Sequence, residues 1–307
     1  MGSPCEIQVD LGASVCGGPG SDHAGAVDAV AAIAALAIAE VERLEARYSR
    51  YRPESFLSQI NRVAAAGGSI EVDAETASLL DYAATCHVES GGLFDVTSGI
   101  LRRAWRFAEG RLPRKEEVAS LLEHVGWQRL AWQRPVLSFP EPGLELDFGG
   151  IVKEYAADRI AALLRAAGAG NAFVNLGGDV RVVGPRADER PWQIGIRHPR
   201  RPGELIARLA IAEGAVATSG DYERCIEIDG VRYGHLLDPR TGWPVRSLAQ
   251  VSVLAPLCVV AGSASTIAML RGEGGSDWLG RLGLPSLWVD MEGRTGGSLA
   301  RSGVLVD

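Results

Sequence analysis

The chain has few cysteines, and none arranged as a framework. Its five, Cys5, Cys16, Cys86, Cys225 and Cys258, are odd in number and far apart, with no CxxC pair. That argues against a disulfide scaffold and a thiolate zinc site and favours reduced core thiols. A basic excess is also missing. Against 38 Asp and Glu stand 31 dispersed Lys and Arg, for a formal charge of −7 and a pI near 5.4. No nucleic-acid partner is expected, because nothing would drive counterion release. The most apolar run, AVDAVAAIAALAIA from Ala26 to Ala39, is interrupted by Asp28. It is shorter than the ~20 apolar residues a spanning helix needs, so no stable membrane insertion is expected. No charged segment followed by an apolar run begins at Met1. The chain as it stands therefore reads as cytoplasmic, and as periplasmic if its N-terminus is processed or trimmed. Repeats of fixed period, low-complexity tracts and long Pro/Ser linkers are absent as well.

What is present describes a globular protein. In 307 residues, 47% are hydrophobic and 22% charged, enough to bury a sizeable core. CEIQVDLG alternates like a strand, and Ser21 or Asp22 can cap a long helix whose apolar face runs Val30, Ile33, Ala37, Val41, Leu44, Tyr48. A helix is expected from an Asp73 cap to Gly91-Gly92, and others over KEEVASLLEHVG, from about Lys153 to Ala167, and from near Gly262. Between them lie strand-like runs, VLSF, LELDF, NAFVNL, DVRVVG, WQIGIR, ELIARLAI, AVATS, RCIEI, QVSVLA and SLWVD. Several are only a turn apart, so the sheets should be mixed and largely antiparallel. The expected fold is α+β, a single compact domain over residues 1–307 with helices packed on the sheets.

Five segments set polar residues or glycines where an element meets a turn: SRYRPESFLSQINR, GGLFDVTSG, LDFGGIVKEYAADRI, NLGGDV and TSGDYERCIEIDGVRYGHLLDPRTGWPV. In the third, Gly149-Gly150 opens a helix, whose free N–H groups suit an anion. In the last, His235 lies close to Asp238 and Arg240. Taken singly, each has a plainer use: His235 bonding its own turn, Asp238 capping that turn, Tyr51 and Phe94 as core aromatics, Asp147 as a helix cap.

In this order, the five segments resemble the ApbE family of FAD:protein FMN transferases. Its members carry an MGT start, SrfrpdSelsrlN, GxFDpT, LDlgGiaKGyavD, NlGGD, TSGdy…HilDPrTGxP and a metal-binding ADxxsT segment. The likeness runs from MGS at Met1 through Thr266. It implies an ApbE-like, T-fold-like architecture and a transferase that moves FMN from FAD, as substrate, to a Thr or Ser hydroxyl of a target flavoprotein. AMP is released and Mg²⁺ assists. Residue by residue, it implies FAD contacts at Met1, Tyr51, Leu93, Phe94, Asp95, Asp147, Lys153 and Leu237, with Asn61 and Asn175 as further contacts. His235 falls at the proposed base, Asp238 could orient it and Arg240 could steady a phosphate. A neutral imidazole with an unperturbed pKa of ~6.5 suits that role.

Metal contacts are implied at Gly150, Ser265 and Thr266. Two positions depart from the family pattern: Gly262 stands where the family has the first aspartate of ADxxsT, and Glu154 where it has glycine. Losing the carboxylate should weaken the metal site, and Gly262→Asp is expected to raise activity. Glu154 reads either as an ordinary solvated helix glutamate, the commoner fate, or as a partial replacement for the missing acid. An FAD-binding protein with little transferase activity and an FAD pyrophosphatase giving FMN and AMP are the alternative functions.

Overall fold

The computed structural model describes residues 4–10 and 23–301. Met1 and the Ser21 or Asp22 cap lie outside them.

Helix formation follows local signals in the N-terminal half. Helix α1 (His23–Tyr48) turns Ala37, Leu44 and Tyr48 into the main core. Ser55 caps α2 (Phe56–Ala66) by accepting from the Ser58 amide at 3.0 Å, and Leu57, Ile60 and Ala64 form its buried stripe. Asp73 caps α3 (Ala74–Ser90) through the Thr76 amide at 3.0 Å, and Gly91 ends it in the left-handed conformation that glycine adopts without strain. Then come α4 (Lys115–Leu122), α5 (Val152–Ala166), α6 (Cys258–Arg271) and α7 (Gly275–Arg281).

The strands, β1 (Cys5–Val9), β2 (Gly68–Glu71), β3 (Ala131–Gln133), β4 (Val136–Phe139), β5 (Ala172–Leu176), β6 (Asp179–Val182), β7 (Trp192–Arg197), β8 (Leu205–Ile211), β9 (Gly214–Gly220), β10 (Cys225–Ile228), β11 (Val231–Gly234), β12 (Leu248–Ala255), β13 (Ser286–Asp290) and β14 (Thr295–Gly296), form four sheets. The largest has the order β1-β5-β6-β9-β12-β13-β14. Every pairing among the described strands is antiparallel, so the α+β expectation holds and the sheets are less mixed than expected.

Helices α5 and α6 pack side by side on the large sheet, α5 against β5 and β6, α6 against β9 and β12. The hairpins β7-β8 and β10-β11 flank β9 in sequence, leaving its TSG end beside the start of α5. LELDF is not a strand. Leu144, Leu146 and Phe148 alternate into the core as a strand would, but the segment is held by a side chain and by loop backbone instead of a ladder: Asn61 donates to the Leu146 carbonyl at 2.9 Å and accepts from its amide at 2.8 Å. Among the described residues no helix is long and apolar enough to cross a membrane.

Candidate active site

Residues 144–148 bury Leu146 and Phe148 and leave the Asp147 side chain 13% exposed. Asp147 accepts from Arg50 and, at 2.9 Å, from the Gly149 amide. The Gly149 N–H, expected to be free for an anion, is therefore occupied. Arg50 also donates to the Tyr51 hydroxyl at 2.8 Å and lies 4.9 Å from its ring centroid, which lowers the phenol pKa. Tyr51 is 76% exposed, so the core-aromatic alternative does not apply to it. Arg50, Tyr51 and Asp147 make one group, an exposed flat ring over a partly buried cation and carboxylate.

Leu93, Phe94 and Asp95 are buried. Phe94 belongs to the main core, and a side chain at Gly150 would meet its ring at 3.3 Å. Asp95 is a structural cap. It accepts from the Thr97 amide at 2.8 Å, the Thr97 hydroxyl at 2.7 Å and the Trp127 amide at 2.8 Å. It borders a hollow of about 360 Å³ together with His87, Gly126 and Arg240.

The centre of the site is the start of α5. Lys153 donates to Asp179, which is 3% exposed and also accepts from the Thr218 amide at 3.1 Å. Burial works against the Lys153 charge, yet the Glu154 and Asp179 carboxylates more than offset it and hold its pKa above the usual value. Glu154 is not the solvated helix glutamate of the commoner expectation. It is 6% exposed, its Oε1 stands 3.4 Å from Lys153 Nζ, and its Oε2 is buried with no hydrogen-bond partner. Burial pushes its pKa up to about 7, Lys153 pulling down and Asp179 pushing further up.

Gly262 makes that burial possible. A Cβ placed there would fall 2.5 Å from Glu154 Cγ and 3.0 Å from its Cδ. Further along the same helix, Ser265 and Thr266 share hydroxyl hydrogen bonds with Ser219 at 2.8 and 2.9 Å. Ser265 is fully buried and also donates to the Gly262 carbonyl at 2.9 Å, whereas Thr266 is only half-buried. Among the described residues no three His, Cys, Asp or Glu side chains gather as a metal site. The donors here are hydroxyls, carbonyls and one or two carboxylates, a hard-oxygen set.

His235 follows β11. Its Nδ1 is buried without a partner, and its pKa is lowered to about 4, first by burial, then by the Arg224 charge, with Lys153 adding to the effect and Asp221 opposing it. The imidazole is therefore neutral at pH 7 and within electrostatic reach of Lys153. Asp238 shapes the turn instead of orienting the ring: its carbonyl accepts from the Thr241 and Gly242 amides, and its carboxylate holds the Arg240 amide at 2.9 Å and guanidinium at 2.7 Å. Arg240 is exposed and spent on that pair. Leu237 packs with Trp105, Tyr233 and Trp243 under the turn, and Trp105 Nε1 donates to the Gly242 carbonyl at 2.7 Å.

Asn175, Gly177, Gly178, Thr218 and Tyr222 line a second hollow of about 220 Å³ beside β7. The structure thus connects Lys153, Asp179, Glu154, Gly262, Ser265 and Thr266 directly, with His235 near enough for the Lys153 charge to act on its ring. Asp147 is tied to the Asp95 segment by its amide, which donates to the Val96 carbonyl at 2.8 Å, and Arg240 borders the hollow beside Asp95. Sequence reasoning passed over Arg50, Asp179, Thr218 and Ser219. All four lie within the segments it singled out, SRYRP, NLGGDV and TSGDY.

The hydroxyls, carboxylates and lysine gathered at the start of one helix have the chemistry to hold a phosphate and its cation. The chain belongs to the ApbE family, whose model matches residues 1–288. It is 32% identical over 238 residues to the FAD:protein FMN transferase of Haemophilus influenzae, covering 74% of this chain and 69% of that protein. Among solved structures, the ApbE protein of Thermotoga maritima superposes with a TM-score of 0.81 at 33% identity, covering 90% of this chain and 92% of that one. The apo flavinyl transferase ApbE of Pseudomonas stutzeri gives 0.82 at 27% identity over 99% and 94%.

Proposed function

We propose that this chain is an FAD:protein FMN transferase that acts on a Thr or Ser hydroxyl of a target flavoprotein. The observation that carries the reading is Lys153, held between Asp179 and Glu154 and close enough to His235 for its charge to help keep that imidazole neutral. A dinucleotide's pyrophosphate needs a fixed cation, and an acceptor hydroxyl needs a nearby unprotonated base.

The acceptor oxygen attacks the phosphorus on the flavin side of the pyrophosphate. A new O–P bond forms as the bridging P–O bond breaks, AMP leaves with the electron pair, and the hydroxyl proton passes to His235. Two phosphate charges beside the ring raise its pKa from about 4 toward neutral, improving it as an acceptor when FAD is in place. Tyr51 offers an exposed ring for stacking, while Arg50 fixes the Asp147 carboxylate for hydrogen bonding to the dinucleotide. Magnesium ion, when bound, neutralises charge on the pyrophosphate. The oxygens suit it: the Thr266 hydroxyl and Gly150 carbonyl are hard donors, and the orphaned Glu154 Oε2 marks unmet demand for a cation or donor.

The test is AMP release from FAD by the pure protein with Mg²⁺, with and without a Thr-containing acceptor. Release that depends on the acceptor supports the transferase. Equal release in both mixtures identifies a pyrophosphatase, and tight FAD binding without release identifies a carrier.

A further inference from the structure

The contact between Glu154 and Gly262 joins two facing helices, α5 and α6. Gly262 and Thr266 are one turn apart on α6, so they share a face, and side chains on a helix lean toward its N-terminus, which aims Thr266 back at position 262. At that position α6 offers no side chain. The space is filled from α5 by Glu154, whose Cγ lies 2.5 Å and Oε1 3.2 Å from where a Cβ of residue 262 would stand. Lys153 accounts for Oε1 at 3.4 Å, but Oε2 has no partner in a residue only 6% exposed. A buried carboxylate oxygen without a donor is costly and rare, and a bound cation would satisfy it.

We propose that Glu154 and Gly262 are a size-exchanged pair. In it, the carboxylate of a divalent-cation site reaches the Thr266 face of α6 from the neighbouring helix, in the place a side chain at 262 would take. This inference rests on the transferase reading for its biological use but not for its measurement. It reverses one expectation: Gly262→Asp alone should not improve the site, because the new side chain collides with the middle of a buried glutamate and displaces the ligand it was meant to supplement. The two acids are alternatives.

The experiment titrates Mn²⁺ into the full chain, with FAD present and absent, and reads free Mn²⁺ by electron paramagnetic resonance. Native protein is compared with E154Q, G262D and the double variant E154G/G262D, and thermal unfolding confirms that each folds. Removing a group around a bound metal costs roughly 10- to 100-fold in affinity, so E154Q should bind at least about tenfold more weakly than native. G262D should weaken binding also, and the double variant should recover most of the native affinity. No Mn²⁺ binding by the native chain, native-like binding by E154Q, or no recovery in the double variant overturns the proposal. Glu154-dependent Mn²⁺ binding in a protein that releases no AMP would leave it standing and remove the transferase reading alone.

Discussion

Lys153 donates to Asp179 across the junction of α5 and β6, and this ion pair ties the helix start to the TSG end of β9 through the Thr218 amide. Lys153→Ala leaves the buried Asp179 and Glu154 facing each other without a cation. Breaking a fully buried pair costs roughly 3–5 kcal/mol. Because 31% of the Lys153 side chain is exposed, about 2–3 kcal/mol is expected here. Denaturant unfolding should show that loss, and fluorescence titration should show FAD binding weakened at least about tenfold, as expected for a lost charge-assisted contact to phosphate.

His235 carries the pH prediction. Burial and the Arg224 charge hold its pKa near 4, below the ordinary value. The folded protein therefore binds fewer protons than the unfolded chain between about pH 4 and the unfolded value of ~6.5. Its contribution to stability is present above ~6.5 and is lost as pH falls toward 4. By NMR the ring should titrate near 4 in the free protein and move upward when FAD binds. An unchanged value with FAD would place the phosphates away from the ring. His235→Asn should slow AMP release by roughly 10²- to 10⁴-fold while FAD affinity changes little.

Asn61 shows a role that a contact to FAD does not require. Its amide replaces a strand partner for Leu146, with bonds of 2.9 and 2.8 Å. Asn61→Ala strands two backbone groups of a buried residue and should cost about 1–3 kcal/mol. Asp147 is the next residue, so FAD affinity should fall with it. An Asn61→Ala protein as stable as the native chain would contradict the clamp.

These residues also indicate what was legible in the sequence. The limits of α3 followed from an Asp73 cap and a Gly91 stop, both local signals. Helix α5 lies within one residue of its expected span, and the alternation of β7 is visible as buried Trp192, Ile194 and Ile196. Helix α6 starts before Gly262 because Asp158, on α5, accepts from the Cys258 and Val259 amides at 2.8 and 2.9 Å. A cap supplied by a distant helix leaves no trace in the local sequence. LELDF was read as a strand from a real alternation whose partner is a side chain, and α2 was hidden in a segment read only for its polar residues. The ApbE resemblance singled out the segments from which the candidate site is built. The burial of Glu154 depends on Gly262, and the low pKa of His235 on its own burial and then on Arg224, surroundings that only the tertiary structure supplies.

In the proposed reaction, flavin leaves FAD for a protein hydroxyl. The most direct check is the intact mass of an acceptor flavoprotein after incubation with this chain, FAD and Mg²⁺, alongside AMP quantified in the same mixture. The account predicts an added FMN on a Thr or Ser of the acceptor and one AMP released for each flavin attached. An acceptor of unchanged mass, with or without AMP, would contradict it.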